Sequence, residues 1–289
     1  MKLAAGAIVC CALAMVAVGT NVPRPSSTAA PHAPSEDPAD LFYEALLRAP
    51  GRRLESRRAL MHAVLRNDPQ ARHILLLGLN ELWLAAENQP DGADGFVHAL
   101  LARHWLRRAE AVLPEDTRIP SWRWAAEWSV AAAEHDDAAM DDARGKLLAL
   151  AEQDPCFHAV TLGIISFDHA PGSPEYKAAH AAMEAAFRCA NDTPSIQDRP
   201  RWPHNVHAFL VALADFRLKA GDVRGAEGAL VIAEARPGFN EWGHRRAVTD
   251  RLDTLNARRD RFANEDPTDD PAFFFERGGP ASCRGCHEE

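Results

Sequence analysis

The sequence lacks the patterns that build β-sheets and several common enzyme sites. No stretch alternates apolar and polar residues with Val, Ile and Thr enriched, so helical spacing is the dominant signal. There is no glycine-rich phosphate loop, no Gly-x-Ser-x-Gly and no His-Glu-x-x-His. Residues 91–95 (DGADG) lack the ligand spacing of a calcium loop. These absences argue against the enzyme and calcium-binding classes that such motifs mark.

Basic residues are also fewer than acidic residues. Lys and Arg number 32 against 41 Asp and Glu, which gives a formal net charge of −9. Nucleic-acid-binding proteins carry a basic surface, so we expect no nucleic-acid partner. The hydrophobic content of 47% and charged content of 25% are typical of a folded soluble protein. The length of 289 residues allows one large domain or two small ones.

The amino terminus carries an apolar segment that is short for a membrane span. We predict that residues 1–19 form a signal peptide and that residues 20–37 form a Pro/Ser/Ala-rich linker. The protein is therefore expected to be exported, for example to a periplasm. An uncleaved anchor is one alternative. Lipidation at Cys10 or Cys11 is another, although neither cysteine has a well-matched lipobox before it. Membrane contact is expected only in those two cases.

Apolar residues recur at helical spacing through residues 38–263, which we predict to be one helical domain. Short Pro/Gly or polar breaks separate the helices. The predicted helices span 38–49, 53–67, 70–87, 93–113, 119–135, 137–152, 156–168, 174–190, 204–236 with a break near Gly221-Asp222, and 240–263.

A pattern of small and large apolar residues recurs in the second helix of several helix pairs. Ala102, Leu106 and Ala109 precede Pro114, and the same order returns before two later prolines. The other two sets are Ala143, Leu147, Leu150 with Pro155, and Ala226, Leu230, Ala233 with Pro237. Over residues 93–240 the chain resembles the tetratricopeptide repeat, which implies an all-α fold of stacked antiparallel helix pairs. An irregular helical bundle is the alternative.

Four cysteines remain after the predicted signal peptide. Cys156 and Cys189 lie at equal distances from the turn at 171–174, so a helical hairpin would bring them face to face. An exported chain meets an oxidising environment, which favours a disulfide between them. Two buried free thiols are the alternative.

The other two cysteines lie in a tail, residues 264–289, that follows the helical domain. An acidic linker broken by prolines leads to three phenylalanines, Phe273–Phe275, and then to PASCRGCHEE. We expect this irregular tail to add little to the core. Cys283, Cys286 and His287 form Cys-x-x-Cys-His, the spacing of a c-type haem attachment site.

In this motif the chain resembles the c-type cytochromes. The resemblance implies haem c bound through thioether bonds to Cys283 and Cys286, with His287 as an axial ligand of the iron. The three phenylalanines could cover one face of the haem, dock the tail on the body, or do both. A structural zinc site is an alternative, but it would need a fourth ligand from the helical body. A tail that binds nothing is another.

The position of the motif departs from that of the familiar small cytochromes c. In those proteins the motif lies near the amino terminus and a methionine far downstream supplies the second axial ligand. Here the sixth ligand would come from upstream, from another protein, or be absent. The upstream candidates, each also a natural packing residue, are His204, His207, His244, Met183 and Met140. We assign none of them.

These observations predict an exported monohaem electron-transfer protein whose helical-repeat body docks a redox partner. Its acidic charge favours a partner with a basic patch. One alternative is a helical-repeat scaffold without redox chemistry. A weaker alternative is a haem enzyme or sensor with an open sixth position on the iron.

Overall fold

The structure is a computed structural model of the whole chain. The residues that it describes are 37–47, 52–66, 70–87, 93–192, 203–240, 242, 245–264 and 269–274. The predicted signal peptide and all of the predicted linker except Asp37 lie outside these residues.

The described residues form helices and the turns between them, with no strand among them. The helices are α1 (Pro38–Leu47), α2 (Arg53–Val64), α3 (Ala71–Glu87), α4 (Ala93–Val112), α5 (Ile119–Glu134), α6 (Asp137–Gln153), α7 (Pro155–Ser166), α8 (Pro174–Asp192), α9 (Pro203–Lys219), α10 (Val223–Ala235) and α11 (Arg245–Phe262).

The helix starts follow from local sequence chemistry. The Asp136 side chain accepts the backbone N–H of Ala139 and caps α6, and Asp222 does the same for Gly225 at the start of α10. Gly221 has a φ of 86°, a left-handed conformation that glycine adopts without strain, and it turns the chain from α9 into α10. Four described helices begin at a proline, which lacks the N–H that a first turn leaves unpaired: Pro38, Pro155, Pro174 and Pro203.

The helices stack in chain order. Each helix packs mainly against the next helix in the chain and the one after it, and the most extensive contacts are between consecutive helices. This is the contact pattern of a solenoid, in which each unit touches only its neighbours. The prediction of an all-α fold of stacked helix pairs is confirmed.

Small residues let these helices approach closely. Ala102, Leu106 and Ala109 of α4 are all buried. Facing them, Gly78 of α3 has no room for a side chain, because an added Cβ would lie 2.9 Å from Leu106 Cγ. The other positions of the recurring pattern are also buried except Leu150, which is partly buried, so the pattern marks the inward face of these helices.

Two links join α7, α8 and α9 beyond apolar packing. Cys156 of α7 and Cys189 of α8 form a disulfide with their Cα atoms 5.6 Å apart and 33 residues of separation. Glu184 of α8 accepts two hydrogen bonds, of 2.6 and 2.8 Å, from the Arg217 guanidinium of α9. These bonds lower the pKa of Glu184 to about 2, although burial opposes the shift.

The predicted boundaries differ from the structure in one place that matters for the tail. The helix predicted from residue 240 begins at Arg245 instead. Pro237-Gly238 starts a longer turn, with Gly238 at a φ of 85°, and Trp242 turns into the core. The helix predicted at 204–236 is divided into α9 and α10 at the expected break. No helix in the described ranges combines the length and apolar character needed to cross a membrane.

Candidate functional site

The residues predicted to carry the haem, Cys283, Cys286 and His287, lie outside the described residues. The last residue described before them is Phe274, nine residues ahead of Cys283. The site can therefore be built from the segment that leads to the motif, residues 269–274, and from the part of the helical body that this segment contacts.

This segment belongs to the hydrophobic core. Phe273 is 3% exposed and Phe274 is fully buried. The expectation that the tail adds little to the core is therefore wrong. The segment contains no helix, so helical periodicity in the sequence could not indicate that it is buried. It docks because its two aromatic rings bury a large apolar area against the body. Docking on the body, one of the two roles expected for the phenylalanines, is thus shown for Phe273 and Phe274.

Phe273 inserts into a cluster of aromatic rings from three helices. Its ring stacks on that of Phe167, just after α7, with centroids 4.0 Å apart and an angle of 15° between the planes. The ring of Phe216 in α9 meets it edge-on at 5.9 Å. Phe262, at the end of α11, packs on Phe167 from another side at 6.1 Å. The tail thus closes an aromatic contact between α7, α9 and α11.

Phe274 is held by its backbone as well as by its ring. Its N–H donates a 2.9 Å hydrogen bond to Asp215 Oδ2 of α9. Its ring lies 5.9 Å from that of Trp242, and the Arg251 guanidinium lies 5.5 Å from its centroid. A bond from a buried backbone N–H to a carboxylate is stronger than one to a neutral acceptor.

Asp215 is only 1% exposed, and two arginines of α11 pair with it. Arg251 donates two hydrogen bonds of 2.8 Å, one to each carboxylate oxygen, and Arg258 donates one of 3.1 Å. Both arginines also donate to the carbonyl of Ala272, at 3.4 and 3.0 Å. We call Asp215, Arg251 and Arg258 the tail clamp.

Burial lowers the pKa of Arg258, and the charge of Asp215 opposes this effect. A guanidinium nevertheless stays protonated in proteins. The tail clamp is therefore a charged cluster whose hydrogen bonds join α9 to α11 and hold the tail to both helices.

Lys219, at the end of α9, provides a second polar attachment for the tail. Its Nζ donates a 2.9 Å hydrogen bond to the Phe167 carbonyl and lies 4.7 Å from the centre of the Phe167 ring. It also pairs with Asp270 of the tail at 3.5 Å. The same cation therefore supports the aromatic cluster and attracts the acidic part of the segment.

Sequence reasoning missed these clamping residues. One signal was present: Asp215 interrupts the apolar run FLVALADF in α9, where a charge on a buried face needs a partner. Its partners could not be read from the chain, because Arg251 is 36 residues away and Phe274 is 59 away.

The candidates for a sixth ligand are packing residues where their side chains are described. His207 is fully buried, with its ring 5.1 Å from that of Trp242. Burial lowers the pKa of His207, although the carbonyls of Ala233 and Pro237 oppose this. Met183 and Met140 are buried in the core. The side chain of His204 and all of His244 lie outside the described residues.

Within the described ranges, no group of three or more His, Cys, Asp or Glu side chains is arranged to hold a metal ion. The donor set of the tail itself fits haem c, because two thiols separated by two residues can bond one edge of a porphyrin and the adjacent imidazole can ligate its iron.

Comparison of the chain with protein-family models, with curated proteins and with solved structures gave no match.

Proposed function

We propose that this chain is an exported monohaem c-type electron-transfer protein whose helical body docks a redox partner. The observation that carries the proposal is the Cys-x-x-Cys-His motif at residues 283–287. Cys283 and Cys286 would hold haem c through thioether bonds, and His287 would be an axial ligand. When bound, the haem supplies reversible one-electron transfer at its iron.

Two features support export. Residues 1–19 have the composition of a signal peptide. A disulfide such as the one between Cys156 and Cys189 persists in an oxidising compartment. Covalent attachment of haem c takes place outside the cytoplasm, so both features agree with the motif.

The helical body supports the docking role. Stacked helix pairs present extended surfaces that suit protein recognition. The formal charge of −9 favours a partner with a basic patch, and such an association weakens as ionic strength rises. Because a bound haem c supplies reversible one-electron transfer, electron transfer is the proposed activity.

The first test is spectroscopic. The full chain is produced together with a c-type haem maturation system and examined as its pyridine haemochrome. The proposal expects a c-type spectrum with one haem per chain and a haem-stained band on a denaturing gel. The Cys283→Ser/Cys286→Ser variant should lose both signals. The Cys156→Ser/Cys189→Ser variant is the matched control and should keep them.

Two results would redirect the proposal. Stoichiometric zinc with no covalent haem would favour the scaffold with a metal-binding tail. A high-spin ferrous spectrum that shifts with carbon monoxide would favour the haem enzyme or sensor with an open sixth position.

The second test concerns the partner. Reduction of the haem is followed with a small basic and a small acidic redox protein, at low and at high ionic strength. The basic protein should react faster, and its advantage should shrink in salt. Equal rates under all four conditions would remove support for charge-guided docking and leave the haem assignment standing.

A further inference from the structure

We infer that Asp215 is a positioning residue for the haem motif. The tail clamp holds Phe274 on the helical body, so the tether of the motif starts at Phe274. This inference rests on the proposed function for the identity of the attached group. It rests on the described residues alone for the anchoring itself.

The anchoring is specified by contacts of different kinds. The Phe274 N–H donates to Asp215, and the Ala272 carbonyl accepts from Arg251 and Arg258. The Phe273 ring stacks at 4.0 Å in the aromatic cluster. The backbone of Ala272 and Phe274 and the side chains of Phe273 and Phe274 are therefore bound, which fixes the position of this segment on the helical body.

This anchoring sets the reach of the motif. Cys283 lies nine positions after Phe274, a distance that spans at most about 30 Å when the chain is fully extended. If the tether began at Phe262, the last residue of α11, Cys283 would lie twenty-one positions away and the limit would be about 70 Å. The clamp thus cuts the reach to less than half.

The shorter reach selects one end of the helical stack. The clamp lies on α9 and α11, so the motif stays within about 30 Å of the point where the tail meets these helices. The main contacts of α9 are with α8, α10 and α11. A partner that takes an electron from the haem is therefore expected to approach near the α8–α11 end.

The inference is tested on the haem-loaded full chain through quenching of a fluorescent dye by the haem. The dye is placed on a new cysteine at one of two exposed positions, Val231→Cys in α10 or Val97→Cys in α4. The native protein should quench the dye at 231 strongly and the dye at 97 weakly. Equal quenching at both positions would overturn the inference.

Variants of the clamp supply the causal test. Asp215→Asn removes the charge that holds both arginines. Arg258→Gln removes a hydrogen-bond donor to the Ala272 carbonyl. Because Arg258 is partly exposed, this second variant is expected to fold even if the first does not. Both should lower the quenching at 231. Glu81→Gln, a buried carboxylate of α3, is the matched control and should leave it unchanged. Unchanged quenching in a folded Arg258→Gln or Asp215→Asn protein contradicts the positioning role.

Hydrogen exchange on the haem-free chain separates this inference from the proposed function. The Phe274 amide should exchange slowly in the native chain and about tenfold faster or more in the clamp variants, since they weaken a hydrogen bond to a charged group. Slow exchange in a chain that never takes up haem would uphold the anchor and refute the proposed function. Fast exchange in the native chain would overturn the anchor whatever the tail carries.

Discussion

Two fully buried carboxylates, Glu81 and Asp215, hold different parts of the helical stack with the same chemistry. Glu81 of α3 accepts a 2.6 Å hydrogen bond from Arg57 Nε of α2 and lies 2.6 Å from His98 Nδ1 of α4. Asp215 of α9 accepts from Arg251 and Arg258 of α11 and also from the backbone of the tail. One carboxylate therefore joins three helices, whereas the other joins two helices and a segment without helical structure.

The difference shows how the stack is completed at the end that carries the tail. Inside a solenoid each helix pair covers its neighbour, and the last unit needs a cap. Residues 271–274 cover the aromatic face that α7, α9 and α11 leave at this point, with Phe273 and Phe274 in place of further helical side chains. The cap and the tether of the proposed haem are therefore the same segment.

The largest expected effect is the loss of stability when either carboxylate is removed. Asp215→Ala leaves Arg251, whose side chain is only 5% exposed, as a buried unpaired charge, which costs about 3–5 kcal/mol. Glu81→Ala should cost about 1–3 kcal/mol, because the Arg57 side chain is 27% exposed and can turn to water. Urea unfolding at neutral pH measures both. An equal or larger cost for Glu81→Ala would contradict the contrast.

The second prediction separates stability of the body from attachment of the tail. Replacing Cys156 and Cys189 by Ser should lower the free energy of unfolding by about 2–4 kcal/mol, since a 33-residue loop is no longer closed in the unfolded chain. Denaturant unfolding measures the loss. Under native conditions the slow exchange of the Phe274 amide should persist, because the tail clamp lies on other helices. Loss of that protection would mean that body and tail do not open independently.

The third prediction concerns acid. The pKa of Glu184 is lowered to about 2 in the folded protein by Arg217. The α8–α9 link is therefore fully present above the usual glutamate pKa of about 4.3, and its contribution is lost as the pH falls towards about 2.

Glu184→Gln should reduce stability by roughly 1–2 kcal/mol at pH 6, a value discounted for partial exposure, and by much less at pH 2. Thermal unfolding of both proteins at the two pH values measures the difference. A deficit that is the same at pH 2 and pH 6 would show that the ion pair is not its source.

The smallest expected effect is a gain. Gly145 in α6 and Gly228 in α10 both have open space where a Cβ would be, so each Gly→Ala change should stabilise its helix by about 0.5–1 kcal/mol. One position lies mid-stack and the other beside the end that carries the tail, so equal gains are expected. A loss at Gly228 alone would show that the helix next to the clamp is constrained in a way that the mid-stack helix is not.

Local signals in the sequence accounted for the helices but could not account for the tail clamp. Prolines, the Gly221-Asp222 break and the recurring Ala and Leu positions marked helix ends and buried faces, and the symmetric placement of Cys156 and Cys189 indicated a pairing. The bond from Phe274 to Asp215 spans 59 residues and depends on how α9 and α11 pack. The buried Arg251 lies in a highly polar helix, where sequence alone favours an exposed arginine.

The start of α11 was placed too early. Residues 239–244 include Asn240 and Gly243, which favour helix poorly, Trp242 packs inward beside His207 and Phe274, and the helix begins only at Arg245. Weak local propensity and the inward packing of one aromatic side chain therefore agree on the later start.

The most direct test of the central claim is the mass of the carboxyl-terminal peptides after trypsin digestion of the exported, unreduced protein. Cleavage after Arg277 and Arg284 gives two peptides, residues 278–284 with Cys283 and residues 285–289 with Cys286 and His287. The account predicts that they stay joined through one haem bonded to both cysteines. Recovery of the two peptides without haem, free or joined by a plain disulfide, from protein made with a working maturation system would contradict it.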